Sequence, residues 1–160
     1  MRTSTKRKIK RISKRHAEIS SQKFQRMASP FFDFDASIRI AGVGKYHDEI
    51  LACTGLAPTR VHLAGEKVSS HSTRLRTEDI WIFSSPLDRM LPLDDHIDWL
   101  LESVTPHIGY LEGVMKNAAW ADLCLGCLSD IPYPMIVTGG SATELIKKLN
   151  LQISFNFTCR

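Results

Sequence analysis

Leu93, Ile97, Leu100, Val104, Ile108, Leu111 and Met115 step along the chain by 4, 3, 4, 4, 3 and 4 residues, and no other stretch limits the fold so tightly. Those steps set the whole series on one face of a helix, a stripe that must be laid against another apolar layer. The segment before it supplies one. Ile80-Trp81-Ile82-Phe83 is apolar on both faces, which predicts a strand inside a sheet. Pro92 suits the first helical turn, with Asp94 and Asp95 behind it, where the helix dipole favours acids. Pro106 interrupts the stripe. Either the helix kinks there, or Thr105 caps a second helix with Pro106 at its first position. A strand followed by a covering helix defines a two-layer core and names no chemistry.

Upstream, Phe34, Ala36, Ile38 and Ile40 alternate with Asp35, Ser37, Arg39 and Ala41, the period of a half-buried strand. Tyr46 to Thr54 predicts a short helix stopped by Gly55, with Leu56 as its hydrophobic partner and Pro58 preventing continuation. Thr59 to Leu63 predicts a short strand, and the polar stretch Gly65 to Glu78 a mobile connection. Downstream, Ala121 to Leu128 predicts a strand and Met135 to Thr138 a short edge strand. Ser141-Ala142-Thr143-Glu144 has the form of a capping box opening a helix through Leu149. Leu151, Ile153, Phe155 and Phe157 then alternate with Gln152, Ser154, Asn156 and Thr158, the clearest strand pattern in the chain. The order is β-α-β-β-α-β, followed by a weak β, an α and a final β. Its first six elements have the order of a ferredoxin-like split unit. The expected fold class is α+β, with helices packed on one face of a mainly antiparallel sheet, as a single domain over residues 31–160.

Charge divides the chain. Residues 1–30 carry ten Lys and Arg against one acid, Glu18, a net of +9. The remaining eleven basic and sixteen acidic residues leave the body at −5. Within the arm, Lys6, Arg7, Lys8, Lys10, Arg11, Lys14 and Arg15 are the candidate contacts to nucleic acid or an anionic membrane surface, through phosphate neutralisation. Such charge blocks are also commonly unstructured, solvated tails. No apolar run approaches the roughly 18 residues of a membrane span, and the N-terminal stretch lacks the apolar core of a secretory signal, so neither is expected. Cys53, Cys124, Cys127 and Cys159 are too few and scattered for a disulfide scaffold, so a reducing, cytoplasmic setting is expected.

The candidates for chemistry are thin. Cys124-Leu125-Gly126-Cys127 is a CxxC, but it lacks a second ligand pair and Leu123 and Leu125 alternate through it as in a strand. His62, Glu66 and His71 lie in or beside the polar 65–78 loop and are the polar-site candidates, as ligands of a small metal-dependent hydrolase. Their spacing follows no helical or strand register. Asp94-Asp95-His96 is a dipole-complementing first turn before it is an acid/base cluster. Val137-Thr138-Gly139-Gly140-Ser141 precedes a helix and could offer backbone N–H groups to an anion, but it has no P-loop or dinucleotide spacing. No Gly-x-Ser-x-Gly elbow is present. No catalytic residue and no cofactor is assigned.

One series goes beyond architecture. It runs Gly55-Leu56-Ala57-Pro58-Thr59, Gly65-Glu66, Trp81, Ser85-Pro86-Leu87, His96-Ile97-Asp98-Trp99-Leu100-Leu101 and Leu149-Asn150-Leu151-Gln152-Ile153. In order and spacing this resembles the bacterial domain-of-unknown-function family 4279, from about residue 35 to the C-terminus and without the basic arm. That family usually ends in a more acidic segment than Ser154-Phe155-Asn156-Phe157, so no role of those acids carries over. The resemblance implies a small cytoplasmic domain without an established activity, of a kind often proposed as toxin-neutralising immunity proteins. The leading expectation is therefore a non-enzymatic interaction domain with an unknown protein partner, with an immunity-type protein as its model. An acidic body would suit a basic partner.

Overall fold

The computed structural model describes residues 31–132 and 135–159. The basic arm, with its candidate nucleic-acid contacts, lies outside them. The ten-residue strand β1 (Phe32–Ala41) is the middle of a five-stranded sheet. Its outward partners are β3 (Ile80–Ser84) on one side and β4 (Trp120–Ser129) on the other, both antiparallel. The short β2 (Arg60–His62) closes one edge against β3. β5 (Gln152–Cys159) closes the other, parallel to β4. The sheet order is β2-β3-β1-β4-β5.

Strand alternation decides the two faces. Register sets Ile38 beside Phe83 and Leu123, and Ile40 beside Trp81 and Ala121. These residues meet the helices in one core with Ile50, Ile97, Leu100, Val104, Leu111, Leu145 and Leu149. Trp81 is 1% exposed; Phe83 stacks on it at 5.7 Å and on Trp99 at 5.4 Å. Each large aromatic buried here contributes on the order of a few kcal/mol.

Local chemistry sets the helix ends. α1 (His47–Thr54) ends at Gly55 in the left-handed region, φ 71°, with the Gly55 N–H donating to the Leu51 carbonyl. The 93–115 stripe is two helices, α2 (Leu93–Val104) and α3 (Ile108–Met115), joined by a 3₁₀ turn Thr105–His107 with Pro106 in its first turn. Proline removes one amide donor, and the tighter turn absorbs the loss without ending the stripe. α4 (Gly140–Leu149) crosses from β4 to β5 and ends at Asn150 in the left-handed region.

Three expectations change. Met135–Thr138 is irregular rather than an edge strand. α4 begins one residue before Ser141, its N-cap is Gly139, and no side chain caps it. The 65–78 stretch is not a free connection: Gly65 and Val68 N–H donate to Arg76 and Arg74 carbonyls, Arg76 N–H donates back to Glu66, and Lys67 bridges Leu75. Backbone pairing within the loop replaces the apolar anchors that its sequence lacks.

Candidate functional site

The sheet face away from the helices carries Asp33, Asp35, Ser37 and Arg39 on β1, Asp122, Cys124 and Leu128 on β4, and Ser154 and Asn156 on β5, with Ile82 of β3 and Arg60 of β2 in line with Arg39. Arg39 organises one end of it. Its guanidinium donates through Nε to Asp122 Oδ1 at 2.9 Å and through Nη2 to Oδ2 at 2.5 Å, with a further bond from Nη2 to Ser154 Oγ at 3.0 Å. The same group lies 5.6 Å from the Trp120 ring centre, and Trp120 Nε1 donates to Glu78 at 2.9 Å. Hydrogen bonding to Asp122 holds the Arg39 pKa above its ordinary value against the opposing effect of burial. In this lattice Asp122 and Ser154 occupy the Nε and Nη2 donors, so that side of the fork is closed to an incoming carboxylate or phosphate. At the other end Arg89 pairs with Asp33 and Asp35. Gly126 on β4 makes room there, since a Cβ at that position would collide with the Asp35 carboxylate.

The sequence-derived candidates do not converge. His62 sits on β2, paired with Ile80, and its pKa is lowered by burial and then by the nearby Arg76 and Arg60, with Glu66 acting in the opposite sense. Glu66 holds its own loop: its carboxylate accepts the Leu63 N–H at 3.0 Å. His71 is exposed in the same loop. Among the described residues no three His, Cys, Asp or Glu side chains stand close enough to hold a metal ion. The CxxC spans one strand, so its thiols point to opposite faces. Cys124 belongs to the open face, whereas Cys127 faces the helices and burial pushes its pKa up.

Two other features are internal fastenings. The Gly139 N–H ahead of α4 donates to the Asp94 carboxylate of α2 at 2.8 Å, so the chain's own acid fills the place an anion would take. His96 is 0% exposed, with Nδ1 3.1 Å from Ser85 Oγ and Nε2 without a hydrogen-bond partner. It joins the end of β3 to the start of α2, out of reach of any substrate. A cavity of about 450 Å³ opens at the C-terminal ends of α3 and α4, lined in part by Lys116, Lys147 and Lys148. Those lysines complement two negative helix ends, and Lys148 also pairs with Glu144 at 2.8 Å.

An exposed apolar row lies on β5. Parallel register aligns Ile153, Phe155 and Phe157 with Leu123, Leu125 and Cys127, on the side of the sheet that the helices cover. Yet they are 44%, 50% and 51% exposed, and the rings of Phe155 and Phe157 stack at 5.9 Å. The cause is the placement of α4, whose buried Leu145 and Leu149 pack with α2 and α3, inward of the edge strand. Among the described residues no strand pairs with the outer edge of β5. At the same end of the sheet, Phe34, Pro92, Leu93, Met135, Ile136 and Val137 line a cleft of about 190 Å³, where Met135 and Val137 are largely exposed. The alternation predicts the strand and says nothing of how much of it is covered. Only the position of the crossover helix reveals the exposure.

The family described as Domain of unknown function (DUF4279) matches residues 32–159, from the first residue of β1 to the last of β5. The chain belongs to the DUF4279 family. No curated protein and no solved structure matches it. The DUF4279 match spans every strand and helix described above, so the Arg39 lattice and the β5 edge both lie within the family domain. No helix among the described residues is long and apolar enough to cross a membrane.

Proposed function

We propose that this DUF4279 domain is a non-enzymatic protein-interaction module whose contact surface is built on β5. One observation carries the reading. β5 is an eight-residue edge strand without a charge, a proline or a lysine, and it carries Ile153, Phe155 and Phe157 half in solvent. Open edges of this kind template pairing with another chain, and natural proteins blunt them with charge, proline, a bulge or brevity. The opposite edge shows such blunting: β2 is three residues long and bears Arg60. β5 has none of it. On the opposite sheet face, Arg39 is paired with Asp122, and Arg89 with Asp33 and Asp35.

The test compares the full chain with a Phe155→Ser, Phe157→Ser variant of unchanged melting temperature, each immobilised and exposed to a lysate of the native host. The reading expects the wild type to retain a protein, a further copy of itself included, that the variant releases. It also expects the β5 amides to exchange more slowly in that complex. Equal retention by both proteins, or turnover of a substrate independent of β5, overturns it.

A further inference from the structure

We infer that the occupant of the β5 edge is β5 of a second copy of this chain, paired antiparallel about a two-fold axis so that two five-stranded sheets become one. The inference rests on the reading of β5 as an interaction edge and adds the identity of what covers it.

The argument is self-complementarity. In an antiparallel pair, residues directly opposite share a face, so only registers that set like-facing residues opposite each other are allowed. Two such registers pair all but one of the eight β5 residues. The first centres on Phe155, which then faces Phe155 of the second copy, with Ile153 against Phe157 at either side. The second centres on Asn156 and sets each Phe155 against Phe157 of the second copy. Both gather the four phenylalanine rings into one row. The Phe155-centred register leaves no apolar residue opposite a polar one, and its polar row matches Ser154 with Asn156 and Gln152 with Thr158. Cross-strand pairs of these types stabilise sheets.

Charge points the same way, and area sets the strength. β5 bears no charged side chain, so two copies meet without like-charge repulsion, although the body as a whole carries −5. A foreign strand would be selected by side-chain pockets or charge along the edge. β5 offers neither, only flat rings that fit their own kind. Each half-exposed phenylalanine leaves on the order of 100 Å² to cover. With Ile153, the side chains of both copies together offer roughly 600 Å², about half of the ~1,200 Å² at which specific, stable interfaces begin, so a weak contact is expected. The pairing is accordingly reversible and concentration-dependent. A two-fold, isologous contact is also the commonest way for a chain to bind itself.

Sedimentation velocity on the nuclease-treated full chain, over a range of protein concentrations and salt, tests this. The expected result is a monomer–dimer equilibrium that survives high salt, because apolar burial drives it. Phe155→Asp should abolish the dimer. Asn156 is exposed and lies opposite or diagonal to its own copy in either register. Asn156→Lys and Asn156→Asp should therefore each weaken the dimer by about fivefold or more at low salt. An equimolar mixture of the two should restore it. A wild-type chain that stays monomeric throughout, or a dimer indifferent to all three substitutions, overturns the inference. If that monomer still holds a different protein in a Phe155- and Phe157-dependent way, only the second-copy assignment falls. If it holds none, the interaction reading falls as well.

Discussion

Removing the Ser85 hydroxyl should cost far more than the loss of one surface hydrogen bond. Ser85 Oγ is the partner of His96 Nδ1 at 3.1 Å, and the other ring nitrogen has none. The imidazole is 0% exposed, so water does not replace the lost contact. Ser85→Ala therefore strands a polar ring with neither nitrogen satisfied, a penalty of about 1–3 kcal/mol. An unfolding entropy of ~2.1 cal/mol/K per residue over residues 32–160 gives about 0.27 kcal/mol/K, so a ~2 kcal/mol loss lowers Tm by about 7 °C. Replacing both partners tests the cause. With His96→Leu already in place there is no ring to strand, and adding Ser85→Ala should cost about 0.5 kcal/mol or less. Calorimetry or urea unfolding of the four proteins closes the cycle. A Ser85→Ala protein that melts within about 1 °C of wild type refutes the reasoning, as does an equal cost in both backgrounds.

Arg39→Met should destabilise the fold by about 2–3 kcal/mol, below the usual range for a broken buried pair because the arginine side chain is 31% exposed, while Asp122 at 7% is left without its partner. Arg39→Met combined with Asp122→Leu should recover most of that loss in urea unfolding. His62 contributes to pH dependence with a definite sign. Its folded pKa lies below the ordinary 6.5, so the unfolded chain binds the proton more tightly. That contribution is intact above pH 6.5, declines as pH falls through 6.5 and levels off below the folded pKa; Tm measured from pH 8 to pH 5 should show this component vanish in His62→Asn. Cys127, buried and with a raised pKa, should alkylate at least about tenfold more slowly than exposed Cys53 at pH 8, as peptide mass mapping would show.

Much of the fold was legible because hydrophobic spacing acts locally. The alternation through Phe34–Ile40, the run at Ile80–Phe83 and the stripe from Leu93 to Met115 each became the element they predict, and Gly55 stopped its helix as glycine does. What the sequence hid was decided by partners far along the chain. Arg39 reads as one polar position of a strand until β4 sets Asp122 beside it, 83 residues later. Ser141-Ala142-Thr143-Glu144 has the letters of a capping box, but the helix starts earlier, with Gly139 as N-cap, and Asp94 of a distant helix takes the N-cap amide that a capping-box glutamate would take. Glu66 reads as a polar-site candidate because the loop it closes is held by backbone pairing that no periodicity announces. Ile153, Phe155 and Phe157 carry the same alternation as a buried strand. Where α4 lies, not the pattern itself, left them in solvent.

The bond from Gly139 to Asp94 ties the beginnings of two helices to a single carboxylate. Both helices rise from that spot, so their partial positive charges add there, and one side chain answers for the pair. Deleting it would do more than loosen a joint. Asp94→Gly would leave the Gly139 amide without its acceptor and strip both helix starts of the one carboxylate that offsets their charge.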